Sequence, residues 1–205
     1  MKRIALCLGI SALLALAADV TQILKGIESR YNGAQTLTLH FKETYTFQKR
    51  HRTESGTLTL RKPGKMRWEY SEPPGKLFIS DSQFVWYYSP DDHRAEKMRL
   101  RDTGDLRAPL AFLLGKLDFT KDFREFRTSG PAIAAIPKSE NLPFTEVAFE
   151  PSSDFVIQRL TVKGQDGSTI EFAFEGEKRN PPVDDSLFKF TPPKGAEIID
   201  STKNQ

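Results

Sequence analysis

Four short stretches between Gly56 and Tyr88 alternate apolar and polar residues, and tight-turn sequences separate them. Side chains of a β-strand point alternately to opposite faces, so every second residue lies on the same side. Pro63-Gly64 and Pro73-Pro74-Gly75 favour turns, because proline fixes φ at the first turn position and glycine accepts a positive φ at the next. The pattern predicts an antiparallel meander with one face rich in bulky groups. That face comprises Leu58, Leu60, Met66, Trp68, Tyr70, Leu77, Ile79, Phe84, Trp86 and Tyr88.

An aromatic face of this kind suits two structures. It forms the packed core of an ordinary β-sandwich or barrel, or it forms the wall of a hydrophobic cavity that holds a ligand. Both structures use the same residue types, and hydrophobic periodicity does not separate them. The residues alone therefore leave both interpretations open.

The N-terminus has the pattern of a secretory signal. Met1-Lys2-Arg3 is basic, residues 4–16 form an apolar run too short to span a bilayer, and Ala15-Leu16-Ala17 matches a small-x-small cleavage site. We therefore expect residues 1–17 to be removed by cleavage before Ala18. Residues 18–205 are expected to form a single exported domain, and no later segment resembles a transmembrane helix.

The single cysteine, Cys7, lies inside this predicted signal. It follows Leu6, where lipid attachment would need a small residue, so no lipid anchor is expected. A mature chain without cysteine has no disulfides, thiolate catalysis or cysteine metal sites. Loss of Lys2 and Arg3 lowers the formal net charge from +3 to +1. A nearly neutral protein has no electrostatic reason to bind nucleic acid.

The rest of the chain predicts helices at a few places and strands elsewhere. Apolar residues at helical spacing predict an amphipathic helix over 19–32 that stops at Gly33, and a second short helix is expected over 118–123. A long strand follows over 37–47, with Glu43 interrupting its apolar face, before a basic turn over 48–54. Further strands are expected over 93–99, 132–137, 144–150, 155–163, 168–177 and 187–191, and a frayed polar tail over 198–205. The sum is about eleven strands in a barrel or strongly curled sheet that helices close.

The segment 102–116 breaks the strand pattern. Pro109 stands near a helix start and Gly115 at its end, and residues 110–114 between them are all apolar. A short helix that is apolar on every side must be covered on more than one side. It is either a permanent plug of the barrel end or a lid that opens.

A search for catalytic chemistry finds little. His40, His51 and His93 lie far apart and have no metal-ligand spacing. The sequence contains no Gly-x-Ser-x-Gly, His-Glu-x-x-His or phosphate-binding glycine-rich motif. The adjacent acids at 91–92 and 184–185 point apart in an extended chain and fit turns. We therefore expect no enzyme activity, no cofactor and no metal site.

Several motifs follow one another in an order that matches a known family. Gly-x-Leu-x-Leu-x-x-Pro-Gly-Lys-x-Arg-Trp-Glu-Tyr-x-x-Pro runs from Gly56 to Pro73, and Ile-Ser-Asp with Val-Trp-x-Tyr follows over 79–88. Pro137-Lys138 and a final Phe-x-Phe-x-Pro-Pro-x-Gly over 188–195 complete the series. This series resembles the outer-membrane lipoprotein carrier proteins, the LolA-like periplasmic chaperones, over nearly all of the mature chain.

The resemblance implies an unclosed antiparallel β-barrel with a helical lid over a hydrophobic cavity for acyl chains. By position, it places Leu110, Phe112, Leu113 and Leu114 in the lid. The family's usual lid-latching arginine precedes the proline of the first hairpin, where this chain has Lys62, with Arg61 one place earlier. Lysine lacks the two-pronged geometry of a guanidinium, and Arg61 should point to the other face, so Lys62 is the better latch candidate. The implied cavity wall is Leu58, Leu60, Met66, Trp68, Tyr70, Ile79, Trp86, Phe149 and Phe172.

The resemblance also implies partners. Acylated lipoproteins would be the cargo, an inner-membrane lipoprotein-releasing ABC transporter the donor, and an outer-membrane lipoprotein receptor the acceptor. The alternative from another class is a periplasmic lipid- or lipoprotein-sensing module on the same scaffold, which an additional C-terminal domain would favour. A hydrolase is a third hypothesis, which a screen against lipid esters would test.

Overall fold

One curled, mainly β sheet of twelve strands forms the molecule. The computed structural model describes residues 8–100 and 117–202. The strand order is β12-β6-β5-β4-β3-β2-β1-β11-β10-β9-β8-β7, so β12 and β7 form the two edges and the sheet does not close. The strands are β1 Thr36–Phe47, β2 Arg50–Arg61, β3 Lys65–Glu72, β4 Leu77–Asp81, β5 Phe84–Ser89, β6 Arg94–Arg99, β7 Phe123–Ser129, β8 Ala132–Pro137, β9 Phe144–Pro151, β10 Ile157–Gly164, β11 Thr169–Arg179 and β12 Glu197–Asp200.

Two α-helices accompany the sheet within these ranges. Helix α1 spans Leu8–Asn32, and the short helix α2 spans Phe119–Asp122 with Asp118 as its N-cap. The predicted helices over 19–32 and 118–123 are thus confirmed, although α1 begins earlier than its predicted start. No helix among the described residues combines the length and the apolar character needed to cross a bilayer.

The predicted mainly β, unclosed fold is confirmed, and three local predictions are wrong. Residues 187–191 are not a strand, because a 3-10 helix forms at Asp185–Phe188 with the Asp184 side chain capping its first turn. The tail predicted to fray contains β12, which pairs in parallel with β6. The predicted turn over 48–54 is short, because β2 already begins at Arg50 and pairs with β1. Strand β7 was not predicted from the sequence.

Helix α1 lies on the inner face of the curled sheet. Its buried Leu24, Ile27 and Tyr31 join one hydrophobic cluster with the inner side chains of the strands. Gly26 lets the helix approach the turn between β9 and β10, since a Cβ there would lie 2.5 Å from ring atoms of Phe155. The helix is therefore held close to the sheet by a contact that only glycine permits.

Hydrogen bonds fix the C-terminal end of α1 against β10 and β11. The Tyr31 hydroxyl donates to Glu177 Oε2 at 2.7 Å and accepts from the backbone N–H of Ile157 at 2.9 Å. Arg30 donates to the other carboxylate oxygen of Glu177 at 2.9 Å. Burial, together with the Glu177 charge, raises the pKa of Tyr31 above its ordinary value.

The C-terminal segment covers the outer face of the meander. Phe190 packs with ring centroids 5.6 Å from Trp86 and 5.8 Å from Tyr88. Asp185 accepts from Lys65 at 2.8 Å and from Arg61 at 2.5 Å. These two bonds, that from Lys65 being the stronger influence, lower the pKa of Asp185.

Candidate functional site

The inner face of the sheet carries an aromatic and aliphatic wall. Seven of the nine residues predicted to line a cavity are buried in this wall, and Trp68 stands at its centre. The Trp68 ring lies 4.7 Å from that of Phe41 and 5.5 Å from that of Phe172. The seven are Leu58, Leu60, Met66, Trp68, Tyr70, Phe149 and Phe172.

Ile79 and Trp86 do not belong to this wall, so their predicted placement is wrong. Trp68 pairs with Phe78 across β3 and β4, which puts Ile79 opposite Arg67 on the outer face. Ile79 in turn pairs with Trp86. Alternation fixes the faces within a strand, but the turn between two strands sets their relative phase, and a shift of one residue exchanges the faces. The inner positions of β4 and β5 are instead held by Phe78, Val85 and Tyr87.

Gly56 allows β2 and β3 to approach closely beside the wall. Tyr70 pairs with Gly56 across β2 and β3, and a Cβ at Gly56 would lie 2.1 Å from the carbonyl oxygen of Glu69. The Tyr70 ring then packs edge-on against Phe41 with centroids 5.1 Å apart. The glycine that opens the sequence motif is thus required by close backbone approach.

The rings of the wall contact one another, and a cleft with room for a ligand lies beside them. A cleft of about 800 Å3 separates α1 from α2 and the edge strand β7. None of the nine predicted cavity residues lines this cleft. Its apolar lining consists of Val20, Leu24, Leu117, Phe119 and Phe126.

Helix α1 fixes one side of the cleft through paired hydrogen bonds. The Asn32 side chain donates to the carbonyl of Leu117 at 2.8 Å and accepts from its N–H at 2.7 Å. Glu28 Oε1 accepts from the N–H of Phe119 at 2.7 Å. These bonds hold residues 117–119 alongside the helix and aim Phe119 at the sheet.

Phe119 joins the cleft to the wall. It lines the cleft, is almost fully buried, and stacks on Phe149 with ring centroids 5.1 Å apart. The Phe126 ring packs edge-on against the Phe119 ring, with centroids 6.2 Å apart. An apolar ligand in the cleft therefore lies next to the aromatic wall without an intervening polar layer.

The two latch candidates, Arg61 and Lys62, point to opposite faces of the sheet, as predicted for Arg61. Lys62 Nζ donates to the carbonyl of Tyr31 at the end of α1 at 2.7 Å, and partial burial lowers the pKa of Lys62. Arg61 instead binds Asp185 and the carbonyl of Val183 in the C-terminal segment. The predicted lid residues Leu110, Phe112, Leu113 and Leu114 lie outside the described residues, so the latch role of Lys62 stays a prediction.

Buried charges stand at the far side of the wall. Glu43 and Glu54 pair directly across β1 and β2 and are 2% and 4% exposed. Lys76, 3% exposed, forms an ion pair with Glu54, and its Nζ lies 4.3 Å from the centroid of the Tyr70 ring. Tyr70 also donates its hydroxyl to Glu43 at 3.3 Å. The sequence marks Glu43 as a break in an apolar face, but it gives no sign of Glu54 or Lys76.

The parts of the chain that the structure describes contain no candidate metal site. Across residues 8–100 and 117–202, no group of three or more histidine, cysteine, aspartate or glutamate side chains could hold a metal ion. His40 and His51 instead contact threonine hydroxyls, at 3.3 Å and 3.0 Å. What the described site offers is apolar surface, a cleft and one buried charged cluster.

Known proteins with similar sequences cover most of the chain. Residues 32–191 match the family model of the outer membrane lipoprotein carrier protein LolA. An outer-membrane lipoprotein carrier protein of Nitrosospira multiformis is 29% identical over 181 residues, which cover 84% of this chain and 86% of that protein. Its namesake in Nitrosomonas europaea is 27% identical over 205 residues, covering 97% and 99%. An uncharacterized conserved protein from Thermus thermophilus shares the fold, with a TM-score of 0.51, 12% identity, and coverage of 89% and 99%.

Proposed function

This chain belongs to the outer-membrane lipoprotein carrier protein LolA family, and from that premise we propose that it carries lipoproteins through the periplasm by shielding their acyl chains. The acyl chains enter the cleft between α1 and β7 and lie against the aromatic wall of the inner face. The protein is a carrier without catalytic activity. Its cargo comes from the inner membrane and is delivered to the outer membrane.

One observation carries the proposal: apolar side chains are contiguous from the cleft through the Phe119 ring, which stacks on Phe149, to the buried wall. The cleft volume of about 800 Å3 falls within the range of roughly 300 to 1,000 Å3 that is usual for small-molecule sites. Its lining also includes the charged residues Lys25, Glu28, Arg124 and Glu125. The polar part of a bound lipid would lie beside these residues, in contact with water.

The energetics of acyl transfer explain why such a surface is needed. Burial of one methylene is worth about 0.8 kcal/mol, so a chain of about sixteen carbons loses roughly 13 kcal/mol of favourable burial when it enters water. A carrier must return most of this free energy by offering an apolar surface of its own. The wall and the cleft supply that surface without any bond being made or broken.

The proposed exchange partners come from the resemblance to the carrier family. Removal of an acyl chain from a bilayer costs free energy, and the family resemblance implies an inner-membrane ABC transporter as the donor that supplies it. Delivery needs a receptor at the outer membrane with a higher affinity for the same chains. The carrier thus acts between two membrane-bound partners.

Co-expression with an acylated lipoprotein tests the proposal. We expect the purified mature protein to retain lipoprotein or lipid that mass spectrometry detects, and to release lipoprotein from spheroplasts. Lipid-free protein that releases no lipoprotein from spheroplasts would overturn the proposal.

A pair of variants on β7 locates the site. Phe126→Glu places a carboxylate in the cleft, whereas Ser129→Glu places the same group at an exposed position of the same strand. A buried carboxylate costs well over 1.4 kcal/mol, so Phe126→Glu should lower the recovered lipid at least about tenfold. Ser129→Glu should leave it unchanged. Equal recovery from both variants would exclude the cleft.

A further inference from the structure

A second apolar space lies on the other flank of helix α1. This groove of about 440 Å3 is bordered by the helix, by the turn between β7 and β8, and by the turn between β9 and β10. Its volume falls within the range of roughly 300 to 1,000 Å3 that is usual for small-molecule sites, so it has room for a ligand. Its apolar lining consists of Val20, Ile23, Pro131, Ile133, Pro151 and Phe155.

The groove differs from the cleft in charge. Among the described residues that line the groove, none is charged, and the polar side chains are hydroxyls. The lining of the cleft, by contrast, includes Lys25, Glu28, Asp118, Arg124 and Glu125. A charged group in the groove would lose its water without gaining a charged partner, whereas a hydrocarbon chain gains by leaving water. The groove therefore suits a wholly apolar part of a ligand.

The two spaces meet at Val20 and Thr128, which line both of them. Because an α-helix has 3.6 residues per turn, Thr21 and Lys25 project toward one flank of α1 and Ile23 toward the other, with Val20 between them. Thr21 and Lys25 line the cleft, and Ile23 lines the groove. A molecule with two chains can thus place one chain on each flank of the helix.

Both spaces also reach the same ring of the buried wall. Ile133 of the groove is 3% exposed and pairs with Phe149 across β8 and β9. Phe119 of the cleft stacks on Phe149 from the other space. Phe155 borders the groove and packs against the same hydrophobic cluster. Chains in the cleft and in the groove would therefore lie on one continuous hydrophobic core.

We propose that this groove holds a second acyl chain of the cargo whose first chain lies in the cleft. The inference rests on the carrier function proposed above, and it makes molecules with at least two acyl chains the preferred substrate class. The uncharged lining favours a hydrocarbon chain, and the junction at Val20 and Thr128 lets a molecule in the cleft reach the groove. A second copy of this protein is the rival occupant.

Two synthetic lipopeptides test the inference by competition binding and native mass spectrometry. They share one peptide, which carries either a single palmitoyl chain or two. The wild type should bind the two-chain lipopeptide at least about tenfold more tightly, since burial of two methylenes already corresponds to roughly that factor. Ile23→Glu places a carboxylate at a half-buried position of the groove. It should abolish this preference and leave binding of the one-chain lipopeptide unchanged, because a second chain in the groove would desolvate the carboxylate.

Control variants separate the groove from the cleft and from general effects of charge. Gln22→Glu adds the same charge at an exposed position of α1 outside both linings and should keep the preference. Phe126→Glu in the cleft should weaken binding of both lipopeptides. If Ile23→Glu does not fold, Ser153→Trp takes its place, since an indole on the exposed turn between β9 and β10 would fill the groove and should likewise abolish the preference.

The outcomes are distinct. Loss of the two-chain preference in the groove variant, with the preference kept in Gln22→Glu, supports the proposal. An unchanged preference in the groove variant, equal weakening of both lipopeptides by it, or no preference in the wild type overturns the proposal, although the carrier function then stands. A wild-type dimer that Ile23→Glu converts to a monomer also overturns it, because the groove then binds a second copy. Failure of the wild type to bind either lipopeptide overturns the carrier function as well.

Discussion

Gly26→Ala should destabilise the protein, although alanine is the better helix former. Inside a helix, replacement of glycine by alanine ordinarily stabilises by about 1 kcal/mol. At Gly26 the new Cβ would lie 2.5 Å from Cδ1 and Cε1 of Phe155, whereas carbon atoms normally pack about 3.5 to 4.0 Å apart. The ring or the helix must therefore move by about 1 Å.

The surroundings of Phe155 resist this movement. The residue has a positive φ of 62°, and its N–H donates to the carbonyl of Ser152 at 3.0 Å, so the turn fixes its backbone. Overpacking of such a contact costs about 1 to 3 kcal/mol. After subtraction of the helix propensity gain, we expect a net loss of up to about 2 kcal/mol, which lowers the Tm by up to about 8 °C.

A double-mutant cycle measures the effect. Gly26→Ala is compared in the wild type and in Phe155→Ala by urea unfolding and by thermal melts. Without the phenylalanine ring the clash is gone, so Gly26→Ala should then stabilise by up to about 1 kcal/mol. If Gly26→Ala stabilises equally in both backgrounds, α1 is not held at this distance from the sheet, and the positions of the helix and the cleft beside it are wrong.

Three further changes test other parts of the structure. Gly56→Ala should cost about 3 kcal/mol in urea unfolding, because its Cβ would meet the backbone carbonyl of Glu69 at 2.1 Å and backbone cannot move aside as a side chain can. Lys76→Met alone leaves Glu54 with the exposed Arg52 as its ion-pair partner and should cost up to about 3 to 5 kcal/mol, whereas Lys76→Met with Glu54→Leu should cost much less. Equal losses would mean that the buried ion pair is not formed. The lowered pKa of Asp185 means that its bonds stabilise the C-terminal segment above pH 3.8 and are lost as the pH falls through the folded-state pKa, so acid should weaken the attachment of residues 185–188 and change tryptophan fluorescence. Asp185→Asn should remove this acid transition, and its persistence would assign the transition to another group.

The sequence predicts side-chain direction well inside a strand and poorly across turns. Alternation correctly places Leu58, Met66 and Trp68 on one buried face. The same reasoning fails for Ile79 and Trp86, because the turn of residues 73–76 determines which residue of β4 meets Trp68. Hydrophobic periodicity within each strand does not show how the residues of β3 and β4 pair with one another.

Alternation also misled at the C-terminus. Phe188 and Phe190 are two residues apart, as in a half-buried strand, but Phe188 ends a 3-10 helix and Phe190 packs on the outer face of β5. Their partners are side chains of other strands rather than a neighbouring backbone. Burial is thus predictable here, whereas the type of element is not.

The candidate site is predictable only in part, for the same physical reason. The resemblance points to the wall residues, and Glu43 stands out as a polar residue on an apolar face. Glu54 and Lys76 lie 22 positions apart in sequence and meet only because β3 returns the chain to β2. The cleft depends on how α1 and α2 pack against β7, which no local pattern describes.

A photoreactive acyl chain tests most directly the claim that cargo lies on the inner face. A lipopeptide with a diazirine near the end of its chain is bound to the mature protein, irradiated, and located by peptide mass spectrometry. The account predicts crosslinks to peptides that contain Phe149 and Phe172. Crosslinks confined to the outer face, at Trp86 and Phe190, would contradict it.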